Sequence, residues 1–185
     1  SATAINLISG DYIVTVTDAS GCTSSSTVTI TEPAASLASS FASSGITTVD
    51  CYGNSTGSAT VTVAGGTTPY TYLWNNGQTS ATATNLSRGT YNVTVTDARN
   101  CTSTSTVSIT EPTASLASAF AASNITSVDC YGNSTGSATV TANGGTTPYT
   151  YEWNNSQTTA TATNLTSGTY NVTVTDARGC TATSS

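Results

Sequence analysis

Short segments in which apolar and polar residues alternate run along most of this chain, and they end at clusters of Gly, Asn and Pro. Alternation with a period of two is typical of β-strands that bury one face. Between residues 50 and 111 the pattern predicts strands at 58–64, 69–75, 80–86, 90–96 and 102–110. A first strand is expected within 34–49, although the spacing of Leu37 and Phe41 would also suit one or two turns of helix.

The whole pattern returns after 79 residues. Residues 33–106 and 112–185 are identical at 59 of 74 positions, and residues 1–32 match 80–111 at 23 of 32. The chain therefore divides into the C-terminal part of a preceding repeat (1–32), a complete repeat (33–111) and a nearly complete repeat (112–185). We expect it to be a section of a longer tandem array.

Differences between the copies indicate which face of each strand is buried. Leu73 of one copy is Glu152 in the next, so this position tolerates a charge and is expected to face water. The aromatic positions on the opposite faces do not change, and we expect them to form the core. They are Trp74 and Trp153 in one strand and Tyr91 and Tyr170 in another.

The size and strand count of one repeat predict its fold. About 79 residues with six or seven antiparallel strands and one buried Trp favour a small immunoglobulin-like antiparallel β-sandwich, repeated in tandem. The segment from Leu86 to Tyr91 also resembles a tyrosine corner, in which a Tyr entering a late strand hydrogen-bonds back across the preceding loop.

The five cysteines allow two disulfide frameworks, because their spacings alternate between 29 and 50. One pairs Cys51 with Cys101 and Cys130 with Cys180; the other pairs Cys22 with Cys51 and Cys101 with Cys130. If the strands alternate in direction from the first, Cys51 and Cys101 lie at the same end of one sandwich. A whole strand, roughly 25–30 Å long, would separate Cys22 from Cys51. The sequence therefore predicts the pairs within one repeat, an unpaired Cys22 and an oxidising, extracytoplasmic compartment.

Composition excludes several classes of function. Ser and Thr make up 71 of the 185 residues, and the net charge of −6 comes from nine acidic residues and three Arg, with no Lys and no His. Binding of nucleic acid or of an anionic membrane surface needs clustered cations, and no apolar run is long enough to insert into a bilayer. Nucleophilic sites that use His or Lys as the base are also excluded, so we expect neither an enzyme nor a cofactor.

Carboxylates are the remaining candidates for a site. Asp50 and Asp97 can converge at the predicted disulfide end, as can Asp129 and Asp176, and these four are the candidates for a calcium site. The simpler interpretation is that Asp97 and Asp176 cap the turns before Cys101 and Cys180 through hydrogen bonds to the backbone. No metal site is therefore expected.

An ordered series of motifs carries a resemblance to a known family. The series is Gly57-Ser58-Ala59-Thr60-Val61-Thr62-Val63, then Gly65-Gly66-Thr67-Thr68-Pro69-Tyr70 up to Trp74, then Gly89-Thr90-Tyr91 through Asp97, and finally Cys101-Thr102 and Thr110-Glu111-Pro112. It resembles the SprB repeat, a family found in very large surface adhesins of gliding Bacteroidota that the type IX secretion system exports. The resemblance covers both long repeats and the first fragment, and departs from the usual pattern in its Ala/Ser-rich first strand. It implies an extracellular, cell-surface adhesin or filament, such as a gliding-motility adhesin.

Two functions are consistent with these features. The first is the structural shaft of a repetitive, secreted adhesin or extracellular fibre. The second is a carbohydrate- or surface-ligand-binding sandwich that uses exposed rings such as Tyr52 and Tyr131. The 15 differences between the long copies are scattered rather than grouped at one set of loops, which favours the shaft. Expected partners are neighbouring repeats, like chains in a fibre, and an extracellular surface or glycan.

Overall fold

The computed structural model describes residues 2–185, and the regular elements of this part of the chain are β-strands. Residues 1–32, 33–111 and 112–185 are called the first, second and third repeats below. The strands are β1 (Gly10–Thr17) and β2 (Thr23–Ile30) in the first; β3 (Ala38–Thr47), β4 (Gly57–Ala64), β5 (Thr71–Trp74), β6 (Thr82–Leu86), β7 (Gly89–Thr96) and β8 (Thr102–Ile109) in the second; and β9 (Ala117–Thr126), β10 (Gly136–Asn143), β11 (Thr150–Trp153), β12 (Thr161–Leu165), β13 (Val172–Thr175) and β14 (Thr181–Ser184) in the third. Among the described residues, none forms a helix that could cross a membrane.

Each long repeat is a sandwich of two three-stranded antiparallel sheets. In the second repeat the sheets have the orders β3-β4-β6 and β5-β7-β8, and in the third β9-β10-β12 and β11-β13-β14. In immunoglobulin nomenclature these are sheets ABE and CFG, with strand D absent. The predicted fold class is confirmed.

The core lies between the two sheets and is centred on one tryptophan. Trp74 is 1 % exposed, its indole N–H donates to the carbonyl oxygen of Ser80 at 2.8 Å, and the ring of Phe41 lies 5.7 Å away. Trp153 has the same environment and is 2 % exposed. The neighbouring Leu73 is 59 % exposed, and Glu152 is exposed as well.

The tyrosines at the start of β7 and before β13 are half-buried and pack against these cores. The hydroxyl of Tyr91 donates to the carbonyl oxygen of Ser87 at 3.2 Å, and that of Tyr170 to the carbonyl oxygen of Thr166 at 3.3 Å. This is the tyrosine-corner bond back across the preceding loop.

The first strand of the sandwich contains a large bulge, and the helical alternative for this segment is wrong. On β3, Phe41 lies opposite Val61 and Ile46 lies opposite Ala59, so residues 42–45 all face Thr60. Residues in a bulge leave the ladder and bend the strand. The bulge interrupts the period of two, which is why the sequence pattern here did not distinguish a strand from a helical turn.

Serine hydroxyls connect the two sheets along one edge. The hydroxyl of Ser39 on β3 is 2.9 Å from that of Ser103 and 2.7 Å from that of Ser105, both on β8. In the third repeat Ser118 and Ser184 make the same contact at 2.7 Å. Much of the high Ser content of these strands therefore serves a hydrogen-bonded sheet edge.

These edge contacts also fix the strand directions. The start of β3 lies beside the start of β8, and near their ends the Val49 N–H donates to the Thr110 carbonyl at 2.9 Å, so the two strands run the same way. With the antiparallel pairings, β3, β5, β6 and β8 run in one direction and β4 and β7 in the other. Strands β5 and β6 are consecutive but do not alternate, because strand D is missing between them.

The hairpin β1–β2 of the first repeat carries the same apolar face as β7–β8. Val14 and Val16 are 56 % and 64 % exposed, whereas the corresponding Val93 and Val95 are fully buried. No residue of the described chain provides the opposing sheet for this hairpin. The apolar face of β1–β2 is therefore exposed, whereas in the second repeat the sheet β3-β4-β6 covers the same face of β7–β8.

We predict that Trp74→Ala lowers the free energy of unfolding of the second repeat by about 3–5 kcal/mol, because it removes the largest buried side chain. Leu73→Glu should change it by less than about 0.5 kcal/mol, because the side chain is exposed and the third repeat already carries Glu there. Chemical denaturation followed by circular dichroism measures both changes. Equal losses from the two substitutions would contradict the assignment of faces.

Candidate functional site

A disulfide and several side-chain hydrogen bonds lie at the contact between the second and third repeats, which is called the joint. It consists of the Cys51 loop (residues 48–57), the Cys180 turn (residues 176–180) and the linker (residues 110–116). Cys51 and Cys180 form a disulfide across it, with their Cα atoms 5.7 Å apart, while Cys22, Cys101 and Cys130 are free and exposed.

The predicted pairs Cys51–Cys101 and Cys130–Cys180 are wrong. Cys51 follows the end of β3, whereas Cys101 lies in the turn before the start of β8, at the opposite end of the same sandwich. The prediction assumed that every strand reverses direction, and the step from β5 to β6 does not. The last hairpin of each repeat therefore points at the preceding repeat, and the disulfide joins neighbours.

The Cys180 turn is held by one buried carboxylate. Asp176 is 5 % exposed and accepts hydrogen bonds from the N–H groups of Thr146, Arg178 and Cys180 at 2.8–2.9 Å. Burial favours its neutral form, but these backbone hydrogen bonds and the Arg178 guanidinium outweigh it and keep the pKa of Asp176 below its ordinary value. A charged carboxylate thus fixes the turn that carries Cys180.

The Cys51 loop has its own internal support. The Asp50 N–H donates to the Thr56 hydroxyl at 3.0 Å, and the Asn54 N–H donates to the Cys51 carbonyl at 3.0 Å. Hydrogen bonds from the Thr56 hydroxyl and the Cys51 N–H lower the pKa of Asp50. Cys51 is therefore presented by a closed loop rather than by a free end of strand.

An arginine adds polar contacts across the joint. Nη1 of Arg178 donates to the Val49 carbonyl at 2.8 Å and to the Thr48 hydroxyl at 3.1 Å. Its backbone N–H bonds Asp176, so one residue connects the Cys180 turn to the end of the second repeat. The joint is held by these hydrogen bonds as well as by the disulfide.

The linker is tied to both repeats. The Glu111 carboxylate accepts from the Gly53 N–H at 2.8 Å and lies 3.7 Å from the Arg88 guanidinium, while the Ala114 carbonyl accepts from the Gly145 N–H at 3.0 Å. At Gly144, whose φ is +71°, a Cβ would come within 2.0 Å of the Ser115 carbonyl oxygen. Only glycine lets the linker pass this close.

The four aspartates proposed for calcium do not converge. Asp50 and Asp97 lie at opposite ends of one sandwich, as do Asp129 and Asp176, for the same reason that the cysteine pairs fail. Asp97 and Asp176 accept backbone hydrogen bonds within their turns, which is the capping role that the sequence also suggested. Within residues 2–185 no three His, Cys, Asp or Glu residues are grouped to hold a metal.

An open cavity of about 430 Å³ lies in the third repeat beside Trp153, Leu165 and Gly136. In the second repeat the corresponding core contains Val107 and Ile109 of β8, and Ile109 lies directly against Gly57. Ser185, the last residue of the chain, corresponds to Thr106, so the third repeat has no described counterpart of those two side chains. The cavity is thus the place of a core strand and not a ligand site.

The tyrosines considered for ligand binding directly follow Cys51 and Cys130 in the chain. Tyr52 is 49 % exposed in the Cys51 loop, and Tyr131 is fully exposed at the same position of the third repeat. Neither ring borders the cavity. This cavity therefore gives no support to a binding role for them.

Comparison with known proteins finds one family model in both long repeats. The family model of the SprB repeat matches the chain twice, over residues 43–79 and 122–158. One match lies within the second repeat and one within the third, and the resemblance seen in the sequence is confirmed.

Among solved structures the chain matches the crystal structure of a tetra-tandem repeat in the extending region of a large adhesion protein. The identity is 16 %, the TM-score is 0.27, and the match covers 97 % of this chain and 56 % of that chain. The chain thus spans just over half the length of that match. No match is found among the curated proteins.

Two residues of the joint escaped the sequence reasoning. Glu111 recurs as Glu32 in the Thr-Glu-Pro motif, and Arg178 recurs as Arg99 two residues before a cysteine. In a chain with only three Arg, the repetition of one beside a cysteine was a usable signal. What the sequence did not show is that both residues act at the boundary of two repeats.

We predict that oxidised chain gives one disulfide-linked peptide pair, Cys51 with Cys180, and that alkylation labels Cys22, Cys101 and Cys130. Cys51→Ser should lower the free energy of unfolding of the joined repeats by up to about 5 kcal/mol. In the chain-entropy account, this is the effect of closing a loop between residues 129 apart in the unfolded chain. Cys130→Ser, at the same position of the next repeat, is the matched control and should have little effect. Peptide mapping without reductant and calorimetry check both, and a Cys51–Cys101 peptide would refute the joint.

We also predict an acid-labile contribution from the capped turns. Because hydrogen bonds hold the pKa of Asp97 and Asp176 below the ordinary value, their contribution is full above about pH 4 and is lost as pH falls through the lower, folded value. Asp176→Asn should therefore reduce the loss of melting temperature between pH 7 and pH 3, whereas Glu152→Gln, at an exposed carboxylate, should not. Identical pH profiles for wild type and Asp176→Asn would contradict this role.

Proposed function

We propose that this chain is part of the structural shaft of a repetitive, secreted cell-surface adhesin or extracellular fibre. The observation that carries the proposal is the joint. A linker tied at Glu111 and Ala114, together with the Cys51–Cys180 disulfide, holds the end of one sandwich against the start of the next. A chain of such contacts suits a slender, semi-rigid fibre in which each unit depends on its neighbour.

The ionisable residues of the chain and their hydrogen bonds support a structural and not an enzymatic role. There is no His and no Lys, so the usual bases for a Ser or Cys nucleophile are missing. The most strongly hydrogen-bonded carboxylates, Asp97 and Asp176, are occupied by backbone N–H groups of their own turns. In both repeats these hydrogen bonds therefore close the turn that carries a cysteine.

The location we propose is the extracellular face of the cell. A disulfide that holds neighbouring repeats together persists in oxidising, extracytoplasmic compartments. The acidic, Lys-free composition favours solubility and mutual repulsion of extended chains. Within this role, the finer form that the SprB repeats suggest is a gliding-motility adhesin exported by type IX secretion.

Cell-surface placement is testable on the producing organism. Antibodies against the chain should label intact cells in immunogold electron microscopy, and brief external protease should remove the label. Deletion of the gene should then separate two outcomes: loss of attachment supports an adhesin shaft, and loss of spreading on agar supports the gliding form. Labelling only after permeabilisation would refute the surface role.

Pulling a single chain from both ends tests whether the joint limits extension. The unbridged chain has 184 Cα–Cα steps between its first and last residues. The disulfide closes a loop that contains 129 of these steps, so only 55 can extend while it is intact. Oxidised chain should therefore extend to only about 190 Å, and reductant should release a further 430–460 Å or so, at roughly 3.3–3.6 Å per residue. Cys51→Ser should behave like reduced chain, and Cys130→Ser like wild type. The same full extension with and without reductant would remove this support for a shaft.

A further inference from the structure

Each half of the joint recurs in this chain without its partner. The turn at residues 97–101 corresponds to the Cys180 turn and carries the free Cys101. The loop at residues 127–136 corresponds to the Cys51 loop and carries the free Cys130. These are called the Cys101 turn and the Cys130 loop. Both free cysteines are exposed, whereas Cys51 and Cys180 are half-buried in the joint.

The Cys101 turn already has the geometry of the paired one. Asp97, 4 % exposed, accepts from the N–H groups of Thr67, Arg99 and Cys101, each at 2.9 Å. The corresponding bonds to Asp176 measure 2.8–2.9 Å. Arg99 stands where Arg178 stands, so the Cys101 turn also carries the guanidinium that donates across the joint.

The Cys130 loop is formed in the same way as the Cys51 loop. Residues 129–136 are identical to 50–57, the Asp129 N–H donates to the Thr135 hydroxyl at 3.1 Å, and the Asn133 N–H donates to the Cys130 carbonyl at 3.1 Å. Ser127 and Val128 supply the hydroxyl and the carbonyl that Thr48 and Val49 offer to Arg178. Both acceptors that Arg178 uses in the joint therefore have counterparts on this exposed face.

We propose that the Cys130 loop is the docking face for the turn of a following repeat, and that the Cys101 turn docks on the loop of a preceding one. Each contact closes with a disulfide of the Cys51–Cys180 kind, so cysteines 129 residues apart pair along the array. The three free cysteines are then halves of joints whose partners belong to other repeats. The contact depends only on the joint residues, so it forms whatever surface the array serves.

The bond forms by thiol–disulfide exchange with a small-molecule disulfide. One thiolate attacks that disulfide and releases one thiol, and the second thiolate then displaces the other. The two cysteines lose two protons and two electrons in all, and the small disulfide is reduced to two thiols. Docking supplies the proximity, because the loop and the turn hold the two sulfur atoms next to each other before oxidation.

Extending the full chain in phase tests each half separately. Ser185 corresponds to Thr106, so a copy of residues 107–185 placed after it continues the repeat without a break and supplies a turn for Cys130. Ser1 corresponds to Ser80, so a copy of residues 1–79 placed before it supplies a loop for Cys101. Refolding with oxidised glutathione, followed by peptide mapping without reductant, identifies the pairs.

In the chain extended at its C-terminus, Cys130 should link to the added turn cysteine while Cys101 stays alkylatable. In the chain extended at its N-terminus, Cys101 should link to the added loop cysteine while Cys130 stays alkylatable. The Cys51–Cys180 peptide is the internal control for correct folding in both. A Cys130–Cys180 or Cys51–Cys101 link would overturn the proposal. So would a free Cys130 in the C-terminally extended chain, or a free Cys101 in the N-terminally extended chain, beside an intact Cys51–Cys180 link.

Hydrogen exchange gives a readout that does not depend on oxidation. With all thiols reduced, residues 127–131 of the C-terminally extended chain should exchange as slowly as residues 48–52, whereas in the original chain they should exchange faster. Arg-to-Ser substitution at the added turn should restore fast exchange at 127–131, and Arg99→Ser is the control that leaves that face unchanged. Fast exchange at 127–131 in the extended chain would show that no docking occurs.

Discussion

The direction of the strands on either side of the missing strand D is the constraint on which the rest of this molecule depends. Because β5 and β6 run the same way, the six strands of a repeat do not end where simple alternation would put them. The last hairpin and the loop after the first strand therefore lie at opposite ends of the sandwich. A cysteine at each of these places cannot bond within one repeat, and it can bond only between neighbours.

The properties that could be predicted from sequence were those that depend on one strand at a time. Alternation located the strands, and the exchange of Leu73 for Glu152 identified a wet face, because burial in a sheet has the same period as the pattern. The bulge at residues 42–45 was missed because an irregular ladder has no period. The disulfide was mispredicted because the end of the sandwich at which each cysteine lies depends on how many times the chain reverses direction. One unrecognised missing strand changes that number.

The joint also explains features of the sequence that look unremarkable in isolation. Glu111 is the charged residue of a short linker, and Gly144 is one of two adjacent glycines, yet each is needed where two repeats meet. Serine hydroxyls perform a similar task inside the repeat, where Ser39 bridges the edges of both sheets. A chain with few large aliphatic residues thus replaces part of an apolar core by directed hydrogen bonds, whose net contribution is about 1 kcal/mol each.

The pairing of Cys51 with Cys180 sets the order of events during maturation. When the chain emerges with its N-terminus first, Cys101 and Cys130 both appear before Cys180, the true partner of Cys51. Oxidation in order of appearance would join Cys51 to Cys22 or, with Cys22 already paired, to Cys101, which the folded sandwich keeps at the end opposite Cys51. The correct bond therefore requires two finished sandwiches in contact, so folding directs oxidation, and an oxidant that acts too early traps the chain in a wrongly crosslinked form.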